Sequence, residues 1–369
     1  MIGLFDRLAQ PLLRKLEPED AHGFVVKMLK TAPLPRAPRD DKRLAVRVFG
    51  LNFPNPIGIA AGFDKHAEVP DALLRLGFGF VEVGTVTPLP QTGNPRPRVF
   101  RLDTDQGVIN RLGFNSQGAD AALVRLAARA NAGGIVGINV GANKDTPDRI
   151  VDYVKLIERF APVASYVTIN VSSPNTPGLR TMQQAALLDD LLARVVDARE
   201  RVAQSAGPTP VLLKIAPDLS LSDLDDVVGI ARSRRIDGMI VGNTTVGRPP
   251  NLRDAQKAKE AGGLSGRPLF ALANRMLAET YVRVEGVFPL IGAGGIDSGS
   301  AALNKIRAGA SLIQMYSGLV FRGLGLVAEI KNVLLGALER DRQDSIKEYV
   351  GADAASVTAD PWPTEGWTH

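Results

Sequence analysis

The stretch NVSSPNTPG, residues 170–178, carries hydroxyl and amide side chains but no histidine, cysteine or acid. It follows directly on the apolar run YVTI, so its polar groups stand at the end of a predicted strand. Such side chains are suited to hydrogen bonding a polar ligand. Any acid–base chemistry at this place has to proceed without an ordinary base beside it.

Polar residues follow most of the strand-length apolar runs of the sequence, this one included. They are Asp64 and Lys65, Thr85, Asn139, Asn170 and Ser173, Lys214, Asn243 and Thr244, and Tyr316 and Ser317. In a barrel of parallel strands, the active site gathers at the carboxyl ends of the strands. This set of side chains therefore predicts a pocket for a flat ligand with many hydrogen-bonding groups.

Eight apolar runs, from about residue 44 onward, alternate with amphipathic segments of helix length such as 183–203, 221–232 and 271–283. This alternation predicts an α/β fold, a (β/α)8 TIM barrel over residues 44–345. A doubly wound open sheet is the alternative, but it usually shows an early GxGxxG turn, which this sequence lacks. The insert 96–115 is predicted to form a β-hairpin over the barrel mouth. Residues 346–369 are expected to be a polar tail, poorly ordered or draped on the surface.

Two glycine-rich segments, 291–299 and 262–266, are predicted to lie as loops on the same side of the barrel. Glycines let backbone N–H groups approach a phosphate, and the helix expected to begin near Ser298 adds a favourable dipole. A tight turn without a ligand is the alternative. Lys65 and Lys214 would be costly if they were buried unpaired, so they favour an anion or an electron-rich ring. Flavin mononucleotide (FMN) satisfies both observations.

The composition excludes several kinds of site. The 369 residues include no cysteine, which removes disulfides, thiolate nucleophiles and iron–sulfur clusters. Only three histidines are present, so we expect no metal site and no Ser-His-Asp triad. The net charge is +5, and residues 1–50 hold ten Lys/Arg against six Asp/Glu. Without a nucleic-acid motif, this asymmetry favours contact with an anionic membrane surface.

The first 33 residues contain two amphipathic segments, 1–16 and 18–30, followed by the Pro-rich linker 34–43. Neither segment is long or apolar enough for a signal peptide or a membrane span. The pattern predicts a two-helix extension of the barrel. The pair could pack on the barrel as an ordinary cap. It could also lie in the plane of a membrane.

An ordered set of motifs resembles the dihydroorotate dehydrogenase family over about residues 1–345. The motifs are AAGFDK, EVGTVTP, NRLGFN, GINVGANK, NVSSPNTPGL, NTT, GGLSG and GAGGIDS. The N-terminal helices resemble the extension of class 2, the quinone-dependent and membrane-associated form. Class 1 members use a cysteine as base, and this chain has none. The serine at the base position, Ser173, follows the class 2 pattern.

The resemblance implies oxidation of (S)-dihydroorotate to orotate, with proton transfer from C5 to Ser173 and hydride transfer from C6 to FMN. Thr176 is expected to assist through a water relay. The substrate-binding residues implied are Lys65, Asn110, Arg111, Leu112, Gly113, Phe114, Asn170, Asn175, Asn243 and Thr244. The FMN-binding residues implied are Ala61, Gly62, Lys65, Thr85, Asn139, Asn170, Lys214, Gly242, Gly266, Gly295, Tyr316 and Ser317.

The same resemblance implies that a membrane quinone reoxidises the flavin after passing between the N-terminal helices. Arg101 is a candidate for the quinone carbonyl or a solvated surface residue, and His22 is expected to pack within the helix pair. Residues 178–184 are a candidate lid or a plain loop. A non-catalytic membrane scaffold is one alternative, and in it Ser173→Ala would leave the function intact. A tRNA dihydrouridine synthase is another, but it would require a catalytic cysteine, which this chain lacks. We expect a monomer on the cytoplasmic side of the inner membrane, with a role in pyrimidine biosynthesis.

Overall fold

Thirteen short strands lie within residues 13–34 and 36–368, which the computed structural model describes. They are β1 (Val46–Val48), β2 (Leu51–Phe53), β3 (Ile57–Ile59), β4 (Phe80–Val86), β5 (Val99–Leu102), β6 (Gly107–Asn110), β7 (Ile135–Val140), β8 (Val167–Asn170), β9 (Val211–Ile215), β10 (Gly238–Val241), β11 (Gly263–Gly266), β12 (Leu290–Ala293) and β13 (Ala310–Met315). They form one barrel, one three-stranded sheet and one hairpin.

The eight predicted apolar runs form the closed barrel, in the order β3-β4-β7-β8-β9-β10-β12-β13. All neighbours are parallel, and β13 pairs with β3 to close the ring. Every residue of β4 is buried, because helices cover its outer face and side chains fill the interior. The predicted (β/α)8 barrel is confirmed.

Helices separate the barrel strands and pack around them. Those described are α1 (Pro18–Thr31), α2 (Pro70–Arg75), α3 (Ala119–Ala128), α4 (Arg149–Phe160), α5 (Ala185–Ala206), α6 (Leu221–Ser233), α7 (Phe270–Val284), α8 (Gly299–Arg307), α9 (Ser317–Arg322), α10 (Leu326–Asp341) and α11 (Ala354–Ala359). Side-chain caps fix several starts: Asp148 accepts from two N–H groups of α4, and Ser298 accepts from Ala301. The predicted start of a helix near Ser298 is therefore confirmed.

Aromatic rings fill the amino end of the barrel. Phe80 packs edge-on against Phe53 of the β1–β2 hairpin, with ring centroids 5.2 Å apart, and reaches Tyr166 at 6.5 Å. Glycines opposite the rings leave the room they need. A Cβ atom added at Gly137 would lie 2.1 Å from the ring of Tyr166. The hairpin therefore plugs the barrel at the end opposite to the polar strand ends.

We expect Gly137→Ala to lower the free energy of unfolding by about 1–3 kcal/mol, because the added methyl group overpacks the ring of Tyr166. Gly229 is the matched control: it lies within α6, and an added Cβ would meet nothing within 4 Å. Gly229→Ala should stabilise the protein by roughly 0.5–1 kcal/mol, since glycine costs more backbone entropy in a helix. Urea unfolding followed by circular dichroism measures both. Equal midpoints for the two variants would contradict this account.

A three-stranded antiparallel sheet, β5-β6-β11, stands outside the barrel. β5 and β6 are the hairpin predicted within 96–115, and that prediction is confirmed. The prediction of a second phosphate loop at 262–266 is wrong in its geometry, because residues 263–266 form strand β11 and pair with β6 from Gly263↔Asn110 to Gly266↔Gly107. The glycines let the two backbones approach closely: a Cβ at Gly266 would lie 2.3 Å from the carbonyl oxygen of Gln106.

Both ends of the described chain pack on the barrel. Helix α1 corresponds to the second predicted amphipathic segment and packs against β5 and α2, whereas the first segment lies almost entirely outside the described residues. For the C-terminal segment, expected to be disordered or draped on the surface, the structure shows a 3-10 helix (Ile346–Tyr349) and α11 against α7. Trp362 and Trp367 pack on an apolar cluster at the start of α7.

Candidate functional site

A cavity of about 310 Å³ opens at the carboxyl ends of the barrel strands and is covered by α1 and the β5-β6-β11 sheet. Its walls include most of the side chains predicted from the strand ends. They include the predicted base, Ser173, and from the substrate set Lys65, Asn110, Leu112, Gly113, Phe114, Asn170, Asn175, Asn243 and Thr244. From the cofactor set they are Ala61, Gly62, Thr85, Lys214, Gly242, Gly266, Gly295, Tyr316 and Ser317.

Three predicted residues do not line this cavity: Arg111, Asn139 and Asp64, whose carboxylate instead accepts from the N–H groups of Glu68 and Val69. The Arg111 side chain turns away, since it donates to Glu260 at 2.7 Å and to the Pro97 carbonyl at 2.9 Å, and stacks over Phe100. Asn139 is fully buried one layer below the wall, where it supports Thr85. Backbone spacing alone could not show these side-chain directions.

The floor of the cavity is a network of amides. The Thr85 hydroxyl donates to Asn139 Oδ1 at 2.6 Å, and Asn170 Nδ2 donates to the same oxygen at 2.9 Å. Asn139 Nδ2 donates in turn to Glu82 Oε1 at 2.9 Å. A carboxylate can only accept, so Glu82 fixes which way the Asn139 amide faces. The orientation of Asn170, which lines the cavity, therefore depends on a carboxylate two layers below.

Glu82 is a buried carboxylate that sequence analysis missed. Asn139 donates to one of its oxygens, and the other accepts at 2.9–3.1 Å from three fully buried neighbours: Tyr166 just before β8, Thr168 on β8 and Gln314 on β13. Each of these polar side chains interrupts an otherwise apolar stretch of sequence. Such interruptions are the signal from which a buried polar network around Glu82 could have been predicted. The four donors satisfy the charge of Glu82 without solvent.

Two lysines face the cavity, and neither forms a recorded hydrogen bond or ion pair with a described residue. Burial lowers the pKa of Lys65 to about 8, with Arg98 lowering it further while Glu19 and Asp64 oppose the shift. Burial also lowers the pKa of Lys214, against the charge of Glu82, which raises it. Both ammonium groups therefore favour an anion or a negatively charged ring in the cavity.

Ser173 lies on the loop after β8, 7% exposed, and its hydroxyl oxygen accepts from the N–H of Asn175 at 3.3 Å. The neighbouring hydroxyl of Ser172 plays a different part, since it donates to Asn170 Oδ1 at 3.0 Å and accepts from Asn243 Nδ2 at 2.8 Å. Ser172 therefore orients the side-chain amides of Asn170 and Asn243. The buried hydroxyl of Thr176 has no hydrogen-bond partner in the described protein and is available to a ligand or a water.

Asn94 joins the two loops that face each other across the cavity. Its side-chain amide donates to the carbonyls of Arg111 at 2.9 Å and Asn175 at 3.2 Å. Asn175 Nδ2 also donates to Asn110 Oδ1 at 3.2 Å. The loop after β6 and the loop after β8 are thereby held in one arrangement, and sequence analysis did not single out Asn94.

A glycine turn follows β12 and forms another part of the wall. Gly294 and Gly295 have φ values of +96° and +78°, and their N–H groups have no recorded acceptor within the described chain. Ser317, which opens α9 beside the turn, shares a 2.8 Å hydrogen bond with Ser265 of β11. Free N–H groups and hydroxyls of this kind suit the oxygens of a phosphate.

The part of the cavity beneath α1 is largely apolar, although Glu19 and His22 of the same helix also line it. Ala21, Val25, Met28 and Leu29 of α1 line it. In the described residues, no helix is long and apolar enough to span a membrane.

His22 of α1 packs against the barrel. Its ring meets Phe63 edge-on at 5.2 Å and lies 3.4 Å (Nδ1) from the Tyr316 hydroxyl. Burial, with a contribution from Lys65, lowers the pKa of His22 to about 3. His22 is therefore neutral at physiological pH. The residues that its ring contacts belong to the barrel. The helix pair within which His22 was expected to pack is only partly described.

Two further candidates hold structural contacts. The Arg101 guanidinium donates to the carbonyls of Leu13, Arg14 and Leu16 while it also lines the cavity. In the loop 178–184, Arg180 donates to the carbonyls of Ser172 and Thr244 and pairs with Asp218 at 2.6 Å, and Leu179 is fully buried. The structure thus ties this segment to two strand ends, as a loop rather than as a detached flap.

Comparisons with known proteins show which family the chain resembles. The family model described as dihydroorotate dehydrogenase matches residues 43–338. A protein of Bradyrhizobium diazoefficiens named dihydroorotate dehydrogenase (quinone) is 71% identical over 98% of this chain and 100% of its own length. One of Rhodopseudomonas palustris with the same name is 69% identical over the same shares. A crystal structure of DHODH from Eimeria tenella in complex with ferulenol superposes with a TM-score of 0.87 at 39% identity, covering 91% of this chain and 95% of that one.

The family model spans the whole barrel, and the two curated relatives extend the match over α1 and the cavity beneath it. The fold agrees with that of the crystal structure, at a TM-score of 0.87. The chain therefore belongs to the dihydroorotate dehydrogenase family, among relatives that carry the name of the quinone-dependent form.

Proposed function

We propose that the protein oxidises (S)-dihydroorotate to orotate in pyrimidine biosynthesis, with FMN as the bound cofactor and a membrane quinone as the final electron acceptor. One observation carries the proposal: a single cavity joins the polar strand ends around Ser173 to the apolar face of α1. A polar substrate and an apolar electron acceptor could thus approach the same cofactor from different sides.

The cavity has the donors that FMN requires. The free N–H groups of Gly294 and Gly295 suit its phosphate, and the amides of the floor suit the edge of its ring. Lys214 provides a cation for the reduced, anionic ring. When bound, FMN supplies an acceptor for two electrons and a proton in the form of hydride.

The remaining chemistry falls to side chains of this chain. We assign to Ser173 the removal of the C5 proton while hydride leaves C6, a step that creates the ring double bond of orotate. In the described part of the chain, no acid or histidine is hydrogen-bonded to Ser173, so the loop after β8 has to exclude water around it. Lys65 neutralises the substrate carboxylate, and Asn110, Asn175 and Asn243 hold the ring. For Arg111 we keep only a backbone role, since its side chain points outward.

The N-terminal extension, residues 1–33, is proposed to bring the quinone from the membrane. Helix α1 shows the solvent a half-exposed Phe24 beside exposed Lys27 and Lys30, a face suited to an anionic membrane surface. We place the protein peripherally on the cytoplasmic side of the inner membrane, as a monomer. Flotation with vesicles containing anionic lipid tests the membrane contact, and loss of flotation in Phe24→Asp would support it.

The visible absorption of the purified protein tests the catalytic proposal. Under exclusion of oxygen, dihydroorotate should bleach the flavin, and a quinone should restore the colour while NAD and fumarate should not. A yellow protein that dihydroorotate leaves unbleached would overturn the substrate assignment. A protein that binds no FMN would overturn the cofactor assignment as well.

Lys65 makes substrate binding depend on pH. Its pKa of about 8 means that the ammonium charge is present below pH 8 and is lost as the pH rises through that value. We therefore expect the Kd of dihydroorotate, read from saturation of the anaerobic bleaching, to rise about tenfold or more above this range. Lys65→Met should bind weakly at every pH without the break. A wild-type Kd that stays constant up to pH 9 would contradict the role of Lys65.

A further inference from the structure

Lys305 is a lysine for which neither the described part of the fold nor the proposed reaction supplies a hydrogen-bond acceptor or a counter-charge. It belongs to α8 on the outer layer of the barrel, yet it is 0% exposed. Its Nζ atom is buried without any hydrogen-bond partner in the described protein. A buried ammonium group without an anion is costly, so an unpaired lysine at such a place indicates a missing negative charge.

The side chain of Lys305 runs along β12 toward the glycine turn. A Cβ added at Gly292 would lie 2.7 Å from Lys305 Cγ and 2.9 Å from Cδ, so the stem passes directly behind the last part of this strand. Beyond it, Nζ lies 4.8 Å from the centroid of the Phe270 ring. The backbone of Phe270 in turn touches Gly295, where an added Cβ would lie 2.4 Å from its Cα. Phe270 thus contacts the ammonium group with its ring and the turn with its backbone.

The surroundings of Lys305 provide no compensating charge. The pKa of Lys305 is lowered to about 7 by burial alone, without a contribution from any charged group. The charged residues on the neighbouring elements are paired among themselves: Arg267 with Asp297, Arg322 with Glu329, and Arg307 with Asp353. The positive charge of the ammonium group is therefore not offset within the described protein, and it would attract an anion bound on the other side of the turn.

We propose that Lys305 is the counter-charge of the FMN phosphate, acting from behind the turn of Gly294 and Gly295. This inference rests on the proposed function, because it requires FMN in the cavity. Lys305 is a positioning residue in this role: the N–H groups of the turn hold the phosphate oxygens, and the charge behind them strengthens their donation. A purely structural role, with the stem packed against Gly292 and the head against Phe270, is the alternative.

The proposal predicts coupling between FMN binding and protonation. Without an anion, Lys305 loses its proton near pH 7, and a bound phosphate raises its pKa because it favours the charged form. Above about pH 7, FMN binding then has to take up a proton, so the affinity falls as the pH rises. Riboflavin carries the same ring without the phosphate and should show no such dependence. The phosphate itself stays doubly charged in this range, since its second pKa is about 6.

Titration of flavin-free protein with FMN and with riboflavin, followed by quenching of flavin fluorescence, measures both affinities. We expect K305M to weaken FMN binding about tenfold to thirtyfold and to leave riboflavin binding within about twofold. K331M is the matched control: Lys331 is also mostly buried, but it pairs with Asp40 at 2.6 Å on a different helix. The control removes the same charge and should change neither affinity.

Each outcome decides between the alternatives. Equal losses for FMN and riboflavin in K305M, or an unchanged affinity for FMN, would overturn the proposal in favour of a packing role. The wild-type ratio of FMN to riboflavin affinity between pH 7 and 9 needs no variant, so it decides the matter even if K305M does not fold. A ratio that stays constant contradicts the proposal. A wild-type protein that binds neither flavin would instead contradict the proposed function.

Discussion

Ser173→Ala is expected to slow the bleaching of the flavin by dihydroorotate by about 10²- to 10⁴-fold, the usual contribution of a positioned base. Within the described residues, the Ser173 hydroxyl is hydrogen-bonded to the N–H of Asn175 and to no histidine or acid that could take over the proton, and we assign the unpartnered hydroxyl of Thr176 to the relay. Reoxidation by quinone involves no proton at C5 and should keep its rate. Anaerobic stopped-flow absorbance separates the two half-reactions.

Ser172→Ala is the matched control, since it removes an identical group one residue away. Ser172 orients Asn170 and Asn243, so its loss should weaken dihydroorotate binding more than it slows bleaching at saturation. Ser173→Cys should move the pH dependence of bleaching downward, because a thiol has a pKa of about 8.5. If Ser173→Ala bleached as fast as the wild type, another group would have to be the base.

Glu82→Gln is expected to lower the free energy of unfolding by about 1–3 kcal/mol or more, the cost of leaving buried hydrogen-bonding groups without a partner. The variant keeps the shape of the side chain but turns one of two accepting oxygens into a donor, facing amide and hydroxyl donors that then lack an acceptor. It also leaves the Lys214 ammonium group without the charge that raises its pKa. Urea unfolding of flavin-free protein measures the loss.

A double-mutant cycle identifies the share that comes from the lysine. The Glu82→Gln/Lys214→Met protein should be more stable than the sum of the single variants predicts, by about 1 kcal/mol or more. Thr168→Val removes one donor and leaves the carboxylate, so it should cost only about 1 kcal/mol. Strict additivity of Glu82→Gln and Lys214→Met would mean that the two charges do not interact.

The barrel and most of the cavity wall could be predicted because their signals are local. Val- and Ile-rich runs specify buried parallel strands, and the residue after each run lies at the carboxyl end whatever the rest of the chain does. The predicted substrate and cofactor residues therefore meet in one cavity, apart from the buried Asn139 and the outward side chain of Arg111. Their roles stay predictions until the measurements above are made.

The features that escaped prediction depend on distant partners. Strand β11 has only four residues, two of them glycine, and forms because β6 offers its free edge. Glu82 stands within an apolar run, and its importance shows only when β7, β8 and β13 bring their donors to it. The C-terminal tryptophans find their apolar contact at the start of α7, far away in sequence.

The attachment of α1 has a consequence for the preparation of shortened proteins. Glu19 of α1 forms a two-bond ion pair with Arg98 at 2.7 and 3.0 Å, and Arg98 is only 8% exposed. Arg98 also donates to the carbonyl of Asn94, the residue that bridges the two loops over the cavity. A truncation after residue 31, chosen to improve solubility, would leave the Arg98 guanidinium without the Glu19 carboxylate and would loosen the loops. A truncation before Pro18 keeps the pair, so soluble versions for crystallisation and inhibitor screening should begin there.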